Sequence, residues 1–514
     1  MDGDVLRAWL DGAVPALEAA RERIDAVNVF PVADGDTGTN VLLTVRGAAD
    51  AVRALDPAAP GVEVLHALGR GALLAARGNS GVILSRYLGG LAEAADAPLP
   101  EALHRAAAAA RAAVHRPEDG TVLTVAARIA AAAQGSGGGD AVTLAAGVTA
   151  GRADLARICA AHPVLRSARV VDAGACALLV LLDALLAALR GGTGPVDVSW
   201  LAEHAGPDPA AGAGADDRAF EVMAVLHAAG PAALDAAAVD LLRTALAAAG
   251  DAVAVVGDDA VLTVHVHADD PAAALAAVEA AGGRWTATVR ALVGGPRPVV
   301  ACTAHPGLAG TLALAGAVAA VLPDGVPAAE AGAAVARAVQ DALAPVHALP
   351  SVHALPSGSA LPSGTALSSE TVQDAGAEVV VLPGDRLRAD ALDPAWLVPD
   401  GAGDELGVLA AVVGAPGLRA TADSAGDPGT AFAVAERLLA AAPAGPRTLA
   451  VLLGPGATAE DGLDLADRLG PRHPDVRVAV AGPVPAGPVF GLAVASAGPA
   501  PAPQQPETRA EARP

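Results

Sequence analysis

At 514 residues the chain is too long for one ordinary core, and its length suggests about three domains. Hydrophobic residues make up 53% but aromatics only 2%, and all 33 basic residues are arginine, a bias of GC-rich coding that leaves the counts of Ala, Gly, Arg and Pro uninformative about function. The net charge of −23 argues against a nucleic-acid binder, which needs a clustered basic face. Three widely spaced cysteines without a C-x-x-C (Cys159, Cys176, Cys302) suggest neither a disulfide framework nor a zinc ribbon, and fit a reducing cytoplasm.

The N-terminus, MDGDVLRAWLDGAVPALEAARERI, carries acids where a signal peptide needs positive charge. Its apolar residues Val5, Leu6, Trp9, Leu10, Val14 and Leu17 recur at helical spacing, so it reads as a first helix. Helical patterns follow at 39–55, 81–91, 101–114, 121–133 and 176–189, with QGSGGGD (134–140) as a loop, and no convincing strand appears before residue 200. Residues 1–200 are therefore expected to form an all-α domain of about eight helices.

The Gly/Pro/Asp-rich stretch 201–217 reads as a linker. Beyond it AFEVMAVL, DAVAVVGD and AVLTVHVHA have strand character and PAAALAAVEAAG helical character, giving a small α/β domain over 218–295. A second α/β domain, 296–500, opens with RPVVACTA and continues through EVVVLPGD, RTLAVLLGPG and VRVAVAGPV. Residues 299–322 are long and apolar enough to cross a bilayer, but His305, Pro306 and Gly307 cut the run into strand, turn and buried helix. The A-L-P-S repeats at 347–369 form a low-complexity insert, and the tail 501–514 has a disordered composition.

Chemistry concentrates in NVFPVADGDTGTN (28–40). The stretch is not an EF-hand, since Val45 sits where the closing Glu is needed, and as an aspartic-protease D-T-G it lacks a second copy in a β-rich frame. An ordinary acidic turn before a helix stays open as a reading. The functional reading has Gly35 folding tightly so that Asp34 and Asp36 aim to one side, as Mg²⁺ held with substrate phosphates requires. Asn28, Thr37 and Thr39 add neutral oxygens, and Thr39 or Asn40 caps the next helix. A second turn, AARGNSG (75–81), offers Asn79, Ser80 and Gly81 to a phosphate at a helix N-terminus, though the same residues also make a good plain loop.

The segments IDAVNVFPVADGDTGTNVLLTV (24–45), AARGNSGVILSRYL (75–88), PEDGTVLTVA (117–126) and VLRSARVVDAGACALLVLLDAL (164–185) resemble the nucleotide-binding, DhaL-type (DAK2) domain of the dihydroxyacetone kinase family, in the version that opens the larger, ATP-binding component of bacterial fatty acid kinase. FEVMAVL, GDAVAVVGDDAVLTVHVHADDP and VVACTAHPGL resemble that component's later domains. The resemblance implies an antiparallel α-helical barrel holding ATP and two Mg²⁺ ions. It implies Asp34 and Asp36 as metal ligands with Asn28 beside them, and Thr39, Asn40, Asn79, Ser80 and Gly81 on the phosphates. Asp172 and Gly174 would lie near the nucleotide, with a helix N-cap as the equal alternative for Asp172. Arg77 is the nearest basic candidate for the phosphates.

The resemblance also implies a fatty acid substrate presented by a separate acyl-binding (DegV-like) subunit, with acyl phosphate as product, no membrane span, and a homodimer. His265 and His267 share one strand face and are candidates for acting on the acyl group or binding zinc, against the alternative of an ordinary exposed face. The family's third zinc ligand, a cysteine, is matched by Ala219, so either the metal is lost or Asp269, Asp270 or Glu221 takes part. Two other functions stay open: a kinase acting on dihydroxyacetone or a similar small polyol, and a catalytically silent nucleotide-binding regulator.

Overall fold

Twenty-four residues at the N-terminus, Gly3–Ala26, form helix α1, buried along a stripe that includes Leu6, Trp9, Ala13, Leu17 and Ile24. The computed structural model describes residues 1–192, 194–203, 218–230, 234–292, 299–343, 380–382, 408, 412, 421–442, 447–484 and 488–496. The expected insert (347–369) and tail (501–514) lie outside these residues, as does nearly all of the expected linker. Its first residues close a short 3-10 helix, Ser199–Glu203.

Eight further helices complete the N-terminal region: α2 Thr37–Arg53, α3 Gly61–Ala75, α4 Gly78–Glu93, α5 Leu99–Ala113, α6 Val122–Gln134, α7 Asp140–Cys159, α8 Pro163–Ala168 and α9 Ala173–Leu189. From α1 to α7 each helix packs on the next, α7 meets α9, and α9 returns to α1. Trp9 fixes this closure by donating its indole N–H to the carbonyl of Leu181 at 2.9 Å. Helix α9 is apolar nearly all round because it is buried nearly all round, the pattern of an interior helix rather than a surface one. No strand forms here among the described residues.

The next strands build one sheet: β1 Phe220–His227, β2 Gly250–Gly257, β3 Val261–Ala268, β4 Arg284–Ala291, β5 Val299–Thr303 and β6 Val318–Val321, in the order β2-β3-β1-β4-β6-β5. Helices α10 (Ala236–Ala249), α11 (Pro271–Ala280), α12 (Pro306–Leu314) and α13 (Ala328–Leu343) accompany it. Strand β6 pairs antiparallel with β4, so the sheet runs straight through the domain boundary expected at 295/296. The apolar run 299–322 becomes β5, α12 and β6, and no helix among the described residues is long and apolar enough to cross a membrane.

Helical region and sheet share a core of Leu73, Ala76, Val82, Ala113, Met223, Ala254 and Val256. Thr263 of β3 donates to the carbonyl of Leu73 at 2.9 Å, and the amide of His115 donates to Val253 at 3.4 Å. The described residues up to 343 form one compact unit and those from 380 onward a second. The second holds β7 (Val380–Leu382), β8 (Thr421–Ala425), α14 (Pro428–Ala441), β9 (Arg447–Leu453), α15 (Ala459–Leu469), β10 (Val476–Ala481) and β11 (Phe490–Ser496). Four of its strands run β10-β9-β11-β8, with β9 and β10 parallel and β11 antiparallel to its neighbours.

Candidate functional site

The acidic turn folds as its sequence requires: Gly35 sits at φ 67°, a left-handed conformation natural only to glycine. The carboxylates on either side are each held by one oxygen. Asn28 donates from Nδ2 to Asp34 Oδ1 at 2.6 Å, and Asn40 from Nδ2 to Asp36 Oδ1 at 2.8 Å. Asp36 is itself the N-cap residue of α2, so the helix starts earlier than a cap at Thr39 or Asn40 would place it.

Thr39 does not face this turn. Its hydroxyl donates to Asp25 Oδ2 at 3.0 Å, while Asp25 Oδ1 accepts the amides of Gly38 at 2.6 Å and Thr39 at 3.2 Å. Burial lifts the Asp25 carboxyl to about 6 despite these bonds. Asp25 thus caps α2 from the end of α1, satisfying amides that a helix start leaves open. The hydroxyl in the cleft is that of Thr37, 3.1 Å from Ser80 Oγ.

The cleft between α2 and α4 is lined by Asn28, Asp34, Asp36, Thr37, Asn40, Gly78, Asn79, Ser80, Glu221 and His267. Helix α4 points its start into it, with Gly78 at φ 54°. The Oδ1 of Asn79 is buried without a partner, and turning the amide over presents Nδ2 to an anion at the same place. Gly81 plays another part. Its amide donates within the helix to Arg77 at 2.9 Å, and a side chain there would run into Thr44, so it serves the close packing of α4 on α2.

Asn79 and Ser80 also line a neighbouring cavity of about 460 Å³, bounded by Phe30, Ile83, Glu118, Asp172, Gly174 and the start of β2. Asp172 is at once a cavity residue and the N-cap of α9, its Oδ1 accepting from Ala175 at 2.7 Å and Val122 at 2.9 Å. Burial raises its carboxyl to about 6.

Arg77 is committed elsewhere. It pairs with Asp341 at 2.7 Å, donates to Gln340 at 3.0 Å and to two backbone carbonyls, which ties the start of α4 to α13. The cation at the carboxylates is Arg290 of β4. It meets Asp36 Oδ2 at 2.5 Å and Asp34 Oδ2 at 3.7 Å, and its Nε bonds Glu221. Sheet register explains the cluster: Glu221 of β1 lies directly opposite His267 of β3 on one side and Arg290 of β4 on the other. A polar row thus crosses three strands on the face turned toward the helices.

His265 and His267 are buried, not exposed, with ring centroids 4.7 Å apart. His265 Nε2 lies 3.0 Å from Glu221, and ligand atoms of Glu221, His265 and His267 fall within 4.8 Å of one another. Asp269 and Asp270 do not join them, since Asp269 pairs with Arg218 and Asp270 caps α11. Burial opposes charge on Glu221, yet Arg290 and His265 hold its carboxyl well below the usual range. Burial and the neighbouring Asp36 carboxylate push Asp34 well above it.

Comparison with known proteins agrees with this division. Residues 31–187 match the DAK2 domain, and residues 217–292 match the FakA-like middle domain, FakA being the DAK2-bearing component of fatty acid kinase. Protein YloV of Bacillus subtilis is 34% identical over 292 residues, 53% of this chain and 52% of that protein. Uncharacterized proteins of Staphylococcus saprophyticus (32% over 203 residues, covering 38% of this chain and 37% of theirs) and Staphylococcus aureus strain RF122 (30% over 265, covering 48% of each) are also similar. The chain thus spans about half or less of the length of these relatives. Its two matched regions lie side by side around the acidic turn, and the chain belongs to the DAK2 family, with a helical domain followed by a middle domain of the FakA-like type.

Proposed function

We propose that the chain is an ATP- and Mg²⁺-dependent phosphotransferase subunit, acting on a fatty acid carboxylate held by a separate acyl-binding subunit, with acyl phosphate as the product. The observation that carries this reading is the single cleft in which the Asp34–Asp36 turn faces the start of α4, opening beside a cavity of about 460 Å³. The donor set suits the ion: two carboxylates and the Asn28 amide are hard oxygen ligands of the kind Mg²⁺ takes together with phosphates. The cavity past Asn79 and Ser80 suits a nucleoside, with Asp172 and Gly174 on its wall. The circuit of helices returning from α9 to α1 supports the antiparallel α-barrel of this family.

Bound Mg²⁺, two ions in this reading, supplies charge neutralisation on the transferred phosphoryl group. The chain's own part is to orient. Asn28 and Asn40 fix the carboxylates, Thr37 and Ser80 set a hydroxyl pair beside them, and the buried sheet face excludes water. His265 and His267, on the substrate side, make with Glu221 a three-donor set of the kind that holds zinc, Glu221 standing two residues beyond Ala219. A cytoplasmic homodimer belongs to the same reading by family analogy.

The test is ATP consumption by the purified chain with Mg²⁺, oleate or palmitate and candidate acyl-binding proteins, with dihydroxyacetone in a parallel reaction. Partner-dependent acyl phosphate supports the proposal. Turnover with the ketose alone replaces the substrate, and nucleotide binding without turnover replaces the enzyme by a regulator.

A further inference from the structure

The two carboxylates of the acidic turn each have one oxygen already engaged, Asp34 Oδ1 by Asn28 and Asp36 Oδ1 by Asn40. The oxygens left facing the cleft are the two Oδ2 atoms, and the terminal nitrogen of Arg290 lies against both. The other edge of the same guanidinium is held by Glu221. A planar fork shared in this way has two partners of one charge on opposite sides, and a divalent ion entering the turn needs the same two oxygens. Cation and guanidinium at that separation repel, so both cannot keep their full contact with Asp34 and Asp36.

We propose that Arg290 is a built-in counter-ion that competes with the divalent cation for Asp34 Oδ2 and Asp36 Oδ2, and that Glu221 is the seat on which it is held as the ion enters. Arg290 is then a positioning residue, joining metal loading on the helical domain to the middle domain's sheet. The inference rests on the metal reading of the turn given above.

The experiment is Mn²⁺ binding to the full chain without nucleotide, followed by electron paramagnetic resonance, for the wild type, Arg290→Gln and Glu221→Gln. Arg290→Gln should bind Mn²⁺ about tenfold more tightly, because the competitor is gone, and Glu221→Gln more weakly, because the guanidinium loses its other partner. In an Asp36→Asn background the gain from Arg290→Gln should vanish. Unchanged or weaker binding by a folded Arg290→Gln chain overturns the proposal, as does a gain that survives Asp36→Asn, which would place the extra ion on Glu221 and the histidines. No Mn²⁺ binding by the wild type or by Arg290→Gln would overturn the metal reading itself. Should Arg290→Gln fail to fold by circular dichroism, Arg290→Lys keeps the charge but loses the fork, and should bind Mn²⁺ more tightly than the wild type; binding equal to wild type overturns the competition.

Discussion

Thr37 and Thr39 stand two positions apart in one motif and face opposite ways. Thr37 reaches Ser80 across the cleft, while Thr39 is spent on Asp25 beneath the helix. Thr37→Val should therefore lower phosphoryl transfer by about tenfold or more with little change in melting temperature. Thr39→Val should instead cost roughly 1–2 kcal/mol of stability, read by denaturant unfolding, with KM for ATP nearly unchanged. Asp34→Ala and Asp36→Ala should each abolish Mg²⁺-dependent transfer with the fold intact by circular dichroism; wild-type activity in either would sink the metal assignment. The sequence showed Asp34, Asp36, Asn79 and Ser80 because their chemistry is local, two short turns dense in oxygen and glycine. It hid Asp25, whose only local signal is an acid on the buried stripe of a helix. It also hid Arg290, whose partners arrive from 254 and 69 residues away.

The junction between α3 and α4 turns on Gly78, at φ 54° and with Asn40 packed where a side chain would begin. Gly78→Ala should destabilise the chain by about 1–3 kcal/mol and loosen the Asn40 bond to Asp36, seen as weaker ATP binding by calorimetry. The start of α9 makes a pH-dependent prediction. Asp172 has its carboxyl raised to about 6 in the folded chain against 3.8 as the ordinary value, so the folded state holds the proton more tightly than the unfolded. Its contribution is complete below pH 3.8 and is lost as pH rises through 6, about 3 kcal/mol in all. Asp172→Asn can still accept from Val122 and Ala175, and should flatten that part of the stability profile between about pH 4 and 7. Helical periodicity placed α2, α4, α5, α6 and α9 to within a few residues, because each carries a buried stripe. It misjudged where α2 begins, since the cap comes from another helix.

Helical region and sheet share apolar contacts and backbone bonds, so residues 1–343 should unfold in a single calorimetric transition, α4 and β3 amides exchanging together. Two separated transitions would show that the sheet folds apart from the helices. The change of period near residue 218 was readable as a change from helices to strands. The position of β6 beside β4 was not, because nothing local to 318–321 says which strand it will join.

Arg290 meets the acidic turn from a different domain of the same chain, and this limits how the family can recombine. Modular exchange works when the exchanged piece carries its whole charge balance with it. A chimera taking only residues 31–187 from a relative would inherit two carboxylates without the arginine fitted to them. Positions 36, 221 and 290 are thus expected to drift together across the family, and the smallest transplantable unit is the helical domain with its sheet.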